Sequence, residues 1–301
     1  MERLLRELDK VLDSRQILQN EPLGRHTTFR VGGPADLYLM PGFSQLSALM
    51  EILHRHKAAV TVIGNGSNLL VGDRGIRGVV IEIGRQMSEV FVRDDRVVAQ
   101  AGALLSKAAQ EAYKNGLSGM EFASGIPGSV GGAVVMNAGA YGGEIKDIAS
   151  IVTVLEKDGG IRKLTNDEME FSYRHSCAIE REYLILEAEF LLQKADSDDI
   201  RRNMDELKEK RLLKQPLEYP SAGSTFKRPE GYFAGKLIMD AGLAGFCVGG
   251  AEVSKKHCGF VINKGGASAA DILSVIRHVQ KTVKERFGVE LKPEVKLLGE
   301  F

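Results

Sequence analysis

Apolar residues fall at two spacings along this chain, and each spacing predicts one type of element. They recur every three or four positions over Ser44–Lys57, Ala103–Asn115 and Asp271–Phe287, which predicts three amphipathic helices. Gly116 and Gly288 follow the last two as C-terminal stop signals, and Ser268 precedes the third as its start signal. Runs of aliphatic residues predict strands, which we place at Val60–Ile63, Val79–Ile83, Val90–Val92, Val97–Ala101, Ile151–Leu155, Ile161–Leu164 and Tyr183–Leu192. The first is expected to be buried, and Asp94-Asp95 is expected to join Val90–Val92 and Val97–Ala101 as a hairpin. The chain therefore begins as α/β and becomes mostly strands.

A polar run at 195–199 predicts a domain boundary, and it also supplies the N-cap of a helix over Ile200–Leu213. Several prolines and glycines after this helix mark an irregular segment before the last helix. We divide the chain into an N-terminal helix at 1–20, a large domain at 21–195 and a smaller α+β domain at 196–301. The large domain is expected to consist of two parts, about 21–85 and 86–195.

Composition excludes several classes of function. The 301 residues hold 40 Lys plus Arg and 40 Asp plus Glu, and this zero net charge argues against nucleic acid as the main partner. The N-terminus mixes charges with leucines, unlike a signal peptide, and no apolar run approaches membrane-spanning length. Three cysteines without a CxxC motif indicate reduced thiols in the cytoplasm. His54 and His56 do not share a helix face, and we expect no metal.

The most informative stretch reads GIPGSVGGAVVMNAGAYGGE, from Gly125 to Glu144. It mixes glycines with buried-type aliphatic residues, which a flexible linker does not do. It carries no Asp, Lys, Arg or His before its closing glutamate. Glycines allow unusual backbone angles and close approach of main-chain N–H groups, so the stretch predicts an anion site built on amides. The alternative is a purely structural glycine-rich turn.

A second glycine loop, GNGSNLLV at Gly64–Val71, follows a predicted strand. It is not a dinucleotide fingerprint, which would need glycine where Leu69 stands, and no Gly-Lys-Ser/Thr follows as in a Walker loop. Asn65, Ser67 and Asn68 are short polar groups able to hydrogen-bond phosphate or ribose. The alternative is a tight turn from a strand into a helix. Two loops built for close backbone approach together suggest one large, phosphate-bearing cofactor.

Three further segments carry single reactive side chains. Arg174 in FSYRHS could clamp a carboxylate or stabilise an oxyanion, or it is simply a surface arginine. Ser224 in AGSTFKRP follows a glycine and could donate a proton to carbon, or it caps a helix. Glu294 in LKPEVKLLG has apolar neighbours, which indicates partial burial and a tuned pKa, or an ordinary paired carboxylate.

Taken in order, these motifs closely resemble the MurB family of UDP-N-acetylenolpyruvoylglucosamine reductases. The resemblance starts at HTTFRVGGPADLYLMP (His26–Pro41) and runs through both glycine loops and YRHS. It continues through KQP (Lys214–Pro216), AGSTFKRP, GAEVSKKHCGFVIN (Gly250–Asn263) and KPEVKLLG, which together span nearly the whole chain. It implies an α+β fold with a two-part FAD-binding domain of the vanillyl-alcohol-oxidase/PCMH type and a smaller C-terminal substrate domain.

The resemblance also implies the reaction. NADPH reduces bound FAD and leaves, and UDP-N-acetylglucosamine enolpyruvate enters the same site. Transfer of a hydride to the enolpyruvyl methylene carbon, followed by protonation of the adjacent carbon, then gives UDP-N-acetylmuramate for peptidoglycan synthesis. By motif position, Ser224 corresponds to the proton donor, Arg174 to the arginine that stabilises the enolate, and Glu294 to the acid that assists it.

Binding residues follow from the same motifs. The resemblance implies substrate or NADPH contacts for Tyr173, Lys214, Lys227 and Arg228. The two glycine loops imply the FAD contacts, which we place at Gly64, Asn65, Gly66, Ser67, Asn68, Leu69, Gly125, Ile126, Pro127, Gly128, Ser129, Gly131, Gly132, Asn137, Ala138 and Gly139.

The chain departs from the family pattern at two places. Some members carry a substrate-covering loop with a tyrosine soon after YR, whereas only Ser176–Glu182 separates YRHS from the next predicted strand here. The chain therefore resembles the shorter class. Arg228 stands where other members have asparagine.

Two other functions remain to be distinguished. A flavin oxidase with the same cofactor fold would be reoxidised rapidly by oxygen and would not need NADPH. A UDP-sugar-binding protein without turnover is a non-enzymatic alternative, against which the set Arg174, Ser224 and Glu294 argues. We expect a cytoplasmic monomer or weak oligomer.

Overall fold

The computed structural model describes residues 2–301, which cluster into two compact units. Each unit is assembled from separate stretches of the chain. The first comprises the residues up to Gln19 together with Leu37–Asn65 and Gly78–Lys210. The second comprises Asn20–Asp36, Gly66–Arg77 and Arg211–Phe301. The polar run at 195–199 lies inside the first unit, and the last division falls at Lys210, within a helix. The functional domain ranges 21–195 and 196–301 stay a prediction.

Seven helices occur within the described residues. They are α1 (Glu2–Leu8), α2 (Leu46–Arg55), α3 (Leu105–Lys114), α4 (Val130–Val135), α5 (Ser197–Lys214), α6 (Ala234–Asp240) and α7 (Ala269–Phe287). Four of the five predicted helices correspond to α2, α3, α5 and α7 and are confirmed. The N-terminal helix predicted at 1–20 was wrong in its length, because α1 ends at Leu8 and β1 begins at Ile17. In α7 the predicted start at Ser268 is a reciprocal cap, because Ser268 Oγ accepts from the Asp271 amide at 3.0 Å and Asp271 accepts from the Ser268 amide at 2.9 Å. The predicted stop, Gly288, has φ +69°.

Eighteen strands occur in the same part of the chain, residues 2–301. They are β1 (Ile17–Pro22), β2 (Pro34–Leu39), β3 (Val60–Ile63), β4 (Leu69–Val71), β5 (Ile76–Glu82), β6 (Val90–Arg93), β7 (Arg96–Gln100), β8 (Leu117–Ser118), β9 (Gly139–Ala140), β10 (Gly143–Glu144), β11 (Ala149–Leu155), β12 (Ile161–Thr165), β13 (Leu184–Leu191), β14 (Gln193–Lys194), β15 (Cys247–Val248), β16 (Ala251–Val253), β17 (Val261–Asn263) and β18 (Lys296–Leu298). All seven predicted strands are present.

The first unit contains most of one main sheet and the whole of another. One has the strand order β1–β2–β5–β3, with β3 and β5 parallel. The prediction that Val60–Ile63 is a buried strand was wrong in its burial, because β3 lies at the sheet edge and Val62 is 44% exposed. The other sheet is antiparallel in the order β12–β11–β13–β7–β6. Helix α4 packs on β13 of this sheet, which anchors the predicted glycine-rich stretch to the core.

The second unit has its own hydrophobic core. Strands β15, β16 and β17 form an antiparallel sheet, and α7 packs on all three. The apolar face of α7, including Ile272, Val275 and Val279, is buried in this core. Strand β4 directly follows the GNGSN loop and pairs in parallel with β18, with Leu69 opposite Lys296. The loop therefore leads into a strand, which excludes the alternative of a strand-to-helix turn.

None of the helices between residues 2 and 301 is long and apolar enough to cross a lipid bilayer. The cysteines at 177, 247 and 258 all carry free thiols.

Candidate functional site

The two predicted glycine loops touch within the first unit. The side-chain amide of Asn65 donates to the main-chain oxygen of Pro127 at 2.7 Å. Gly64 faces Ser129 so closely that a Cβ at position 64 would lie 2.3 Å from Ser129 Oγ. Any larger residue would push the loops apart, so glycine at 64 is required by this approach. The structure thus brings together the two segments that the sequence assigned to one ligand.

Part of the main chain in these loops is already hydrogen-bonded. The Val130 amide donates to the Ala103 carbonyl and the Gly131 amide to the Ala101 carbonyl, each at 2.8 Å, which docks the start of α4 against the β7–α3 connection. This corrects the simple expectation that the amides of the whole stretch are open to a ligand. The physical reason is that a buried helix start must satisfy its own N–H groups.

Three other amides have no such partner. Asn65, Gly128 and Ser129 donate their main-chain N–H groups to no acceptor anywhere in residues 2–301. They lie on the two segments that meet, and unpaired main-chain amides of this kind bind anions. Within the glycine-rich stretch, the unpaired amides of Gly128 and Ser129 therefore lie just before α4.

Helix α4 is exposed at only one position. Its N-cap Ser129 accepts from the Gly132 amide at 3.4 Å, and the residues around Gly132 pack into the first unit. Gly132 itself is exposed, and a Cβ built there would approach nothing closer than 3.4 Å. One residue earlier, a Cβ on Gly131 would lie 2.9 Å from Ala101 Cβ. Gly131 is needed for packing within the protein, whereas Gly132 leaves open surface.

No cation lies inside the glycine-rich stretch, so any cation near it comes from elsewhere in the chain. The first cation after it, Lys146, pairs with Glu144 at 2.8 Å. The hydrogen bond to Glu144 raises the pKa of Lys146, so its charge is retained but partnered. An anion on this stretch would rest on amides and small polar groups.

Asn137 supports the stretch from inside. It is buried with φ +41°, and its side-chain nitrogen donates to Glu144 Oε2 at 2.6 Å and to the Ser172 oxygen at 3.0 Å. Its side-chain oxygen accepts from the Lys146 amide at 2.9 Å. Both amide hydrogens are donated internally, so a cofactor contact by Asn137, if made, uses its main chain.

The remaining predicted cofactor residues occupy varied positions. Ile126 and Ala138 are half-buried and pack on the core of the first unit. Gly125 is exposed, and Gly139 lies in β9. In the second unit, Ser67 is half-buried.

Arg174 is held against the end of the same stretch. It lies in the turn Ser172–His175 with φ +56°, and its Nη2 donates to the Gly139 oxygen at 3.1 Å. Its Cζ lies 4.9 Å from the centre of the Tyr173 ring. Ser176 fastens the turn by donating to the Val135 oxygen at 2.9 Å. The arginine is therefore a positioned group rather than a loose surface cation.

In the second unit, Ser224 and Glu294 are brought together by Thr225, the residue that follows Ser224 in the chain. The Thr225 amide donates to the Gly259 oxygen at 2.8 Å, and its carbonyl accepts from the Glu294 amide at 2.8 Å. Thr225 Oγ1 also accepts from the Val261 amide at 2.9 Å. Thr225 is buried, while the adjacent Ser224 is exposed after Gly223, whose φ is +73°. This clamp keeps the exposed Ser224 next to Thr225, whose main chain pairs with that of the half-buried Glu294.

The clamp also reaches the GNGSN loop. Asn68 Nδ2 donates to the main-chain carbonyl of Glu294 at 3.2 Å, and the Lys296 amide donates to the main-chain carbonyl of Asn68 at 2.9 Å. Asn68 thus links a predicted cofactor loop to a predicted catalytic residue.

Sequence reasoning missed His257. Its Nδ1 accepts from the Gly259 amide at 3.1 Å, so the neutral ring carries its hydrogen on Nε2. Burial lowers the pKa of His257, which keeps the ring neutral at pH 7. In the sequence, His257 belongs to a segment that carries the family resemblance, and no second metal ligand stands at a suitable spacing from it. Its significance follows from Gly259, which bonds both His257 and Thr225.

The predicted substrate-binding cations differ in their surroundings. Lys227 follows the clamp, and its amide donates to the Lys292 oxygen at 2.9 Å. Arg228 stacks over the Phe233 ring, with Cζ 4.0 Å from the ring centre. Lys214 is exposed at the end of α5, and no contact among the described residues joins it to Ser224 or Glu294.

Besides Thr225, Thr28 was also given no role from the sequence. The Thr28 amide donates to the Gly66 oxygen at 3.2 Å, and a Cβ on Gly66 would lie 1.9 Å from the His26 oxygen. The HTTF run therefore lies directly against the GNGSN loop. A threonine in a loop carries no local signal for this contact.

Two family models match the chain. The C-terminal domain of UDP-N-acetylenolpyruvoylglucosamine reductase matches residues 215–298, and an FAD binding domain matches residues 43–165. The predicted fold class, with an FAD-binding part and a reductase C-terminal part, is confirmed.

Known proteins match over nearly the full length. The chain is 59% identical over 297 residues to a UDP-N-acetylenolpyruvoylglucosamine reductase of Agathobacter rectalis, with 95% of each chain covered. The crystal structure of the reductase from Thermus caldophilus is 34% identical, with a TM-score of 0.79, and the match covers 94% of this chain and 98% of that one. A grass pollen allergen with glucose dehydrogenase activity, 15% identical, matches 64% of this chain and 44% of its own with a TM-score of 0.52, which shows a shared fold alone.

Proposed function

Because this chain belongs to the UDP-N-acetylenolpyruvoylglucosamine reductase family, we propose that it reduces UDP-N-acetylglucosamine enolpyruvate to UDP-N-acetylmuramate, with NADPH as electron donor. It is an FAD-dependent oxidoreductase of peptidoglycan precursor synthesis. The structural observation that carries the proposal is the Thr225 clamp, which sets Ser224 beside Glu294.

The first unit fits the cofactor. A diphosphate needs several N–H donors close together, and the unpaired amides of Asn65, Gly128 and Ser129 supply them where the two glycine loops meet. The exposed Gly132 leaves room for a ligand against the main chain. We place the FAD diphosphate on these residues. FAD held there would supply the two-electron chemistry that links NADPH to the enolpyruvyl double bond.

Arg174 is proposed to stabilise the charge that the reaction creates. Reduction of an enol ether that bears a carboxylate builds negative charge on that carboxylate in the transition state. A guanidinium fixed in place stabilises such charge without having to reorient, and Gly139 fixes this one. Arg174 therefore acts electrostatically and transfers no proton.

Ser224 is proposed to donate the proton that completes the new C–H bond. A hydroxyl is a weak acid, so it protonates carbon well only when it is held close to a strongly basic carbon. The Gly223 turn and the Thr225 clamp hold it at the surface of the second unit. Glu294, anchored through its amide by the same clamp, is proposed to assist this proton transfer.

We further propose that residues 21–195 bind FAD and residues 196–301 bind the sugar nucleotide, and the family models at 43–165 and 215–298 support this division. Tyr173, Lys214, Lys227 and Arg228 remain the proposed substrate or NADPH contacts. The reaction is placed in the cytoplasm, where NADPH is available. A monomer or weak oligomer is proposed, which sedimentation at working concentration would test.

The proposal is tested by Ser224→Ala, with each half-reaction followed separately under anaerobic conditions. NADPH should reduce the flavin at nearly the wild-type rate. Reoxidation by the enolpyruvyl substrate should fall by about 10²- to 10⁴-fold, the usual contribution of a general acid. Ser221→Ala removes a hydroxyl three residues away and serves as the matched control, which should leave both rates unchanged.

Equal losses in both half-reactions of Ser224→Ala would make the serine structural and refute its role. The wild-type protein should oxidise NADPH only when the enolpyruvyl substrate is present. Rapid reoxidation by oxygen without NADPH dependence would favour the oxidase alternative instead.

A further inference from the structure

Thr28 carries a buried hydroxyl with no hydrogen-bond partner among residues 2–301. Its neighbours differ from it sharply. Thr27 Oγ1 donates to the Val31 oxygen at 2.8 Å, and Phe29 is fully buried in the core of the second unit. A hydroxyl removed from water normally finds a partner, because leaving it unpaired costs the desolvation of a polar group. The unpaired hydroxyl of Thr28 therefore needs an explanation, whereas the paired hydroxyl of Thr27 does not.

The position of Thr28 is fixed by the GNGSN loop. Its amide donates to the Gly66 oxygen at 3.2 Å. Gly66 has φ +62°, and a Cβ on it would lie 1.9 Å from the His26 oxygen and 2.9 Å from Thr27 Cα. The turn 26–28 and Gly66 are thus in contact over their main chains. Thr28 is held beside a loop assigned to the cofactor.

We propose that Thr28 is a further cofactor-binding residue, whose hydroxyl donates a hydrogen bond to an oxygen of bound FAD. The inference rests on the proposed function, since that function supplies the ligand. The hydroxyl is a donor here because FAD offers phosphate, hydroxyl and carbonyl oxygens as acceptors. The buried hydroxyl and the shape of the Gly66 contact carry the argument together, and neither was used in assigning the reaction.

Thr28→Val tests the proposal, because valine keeps the shape of threonine and removes its hydroxyl. The FAD dissociation constant is measured by diluting the holoenzyme and following the rise in flavin fluorescence. We expect the constant to increase about 10- to 100-fold, as for loss of a hydrogen bond to a charged or strongly polar group. Thr28→Ser retains the hydroxyl and should bind FAD within about threefold of wild type.

Thr27→Val is the matched control. It removes a hydroxyl one residue away whose bond is internal, so the melting temperature at saturating FAD should fall. FAD affinity measured below the melting range should stay within about threefold of wild type. If Thr28→Val does not fold, the pair Thr28→Ala and Thr28→Ser isolates the hydroxyl in the same assay.

The outcomes separate this inference from the proposed function. A wild-type protein that binds no FAD would overturn both. A wild-type protein that binds FAD, with Thr28→Val or Thr28→Ala binding it equally well, would overturn the Thr28 assignment alone. Loss of affinity in Thr28→Ser as large as in Thr28→Val would also overturn it, because the hydroxyl would then not be the cause.

Discussion

Replacing Gly132 by alanine should stabilise the protein and weaken its cofactor site at the same time. Gly132 lies in α4 at an exposed position, with no strained backbone angle that would penalise a side chain. A Cβ there meets the protein no closer than 3.4 Å, at Ser129 Oγ. The new methyl group would project from the surface that we assign to FAD. The two effects therefore have opposite signs and can be measured separately.

The stabilisation follows from helix propensity. Alanine is favoured over glycine inside a helix by about 1 kcal/mol. For a chain of this length, that corresponds to a rise in melting temperature of about 2 °C in the protein without cofactor. A methyl group occupying the space of a ligand atom that contacts the main chain should raise the FAD dissociation constant at least tenfold, or about 1.4 kcal/mol.

The assay is chemical unfolding of the apoprotein together with flavin-fluorescence titration. Gly131→Ala is the control, because its Cβ would lie 2.9 Å from Ala101 Cβ and must lower the unfolding free energy. Wild-type FAD affinity in Gly132→Ala, with the expected gain in stability, would refute the placement of FAD on α4. A loss of apoprotein stability in that variant would refute the packing argument.

Two further predictions concern titrating groups. Burial lowers the pKa of His257, so the imidazole binds a proton more readily in the unfolded chain than in the folded protein. The unfolding free energy should therefore fall as the pH decreases below about 6.5. His257→Gln should flatten that slope in urea unfolding measured at several pH values. Burial raises the pKa of the Cys177 and Cys258 thiols, whereas Cys247 is exposed. Ellman's reagent at pH 7.5 should therefore label one thiol rapidly in the folded protein and all three after unfolding. Rapid labelling that persists in Cys247→Ser would contradict this.

Local elements were predictable because their signals are local. The hairpin β6–β7 turns at Asp94, whose φ of +55° suits the Asp-Asp pair read from the sequence. Helix α7 starts at Ser268 and ends before Gly288, as its cap residues indicated. Periodicity, caps and turn residues act within a few positions, so they can be read without knowing what lies opposite in space.

Burial and partner choice were not predictable in the same way. Val60–Ile63 has the composition of a buried strand, yet β3 lies at a sheet edge. The amides of Val130 and Gly131 looked available and are used to dock α4, whereas those of Gly128 and Ser129 are not used. Each outcome depends on residues far away along the chain.

The sequence by itself determined the reaction family, the order of the motifs and the absence of cations from the glycine-rich stretch, because residue identity and spacing carry that information. Tertiary structure decided how the motifs work together. Thr225 joins Ser224 to Glu294 across 70 positions, and Gly66 meets Thr28 through main-chain contacts that any side chain would block. Such contacts are made by backbone atoms common to every residue, so no local pattern of side chains could have announced them.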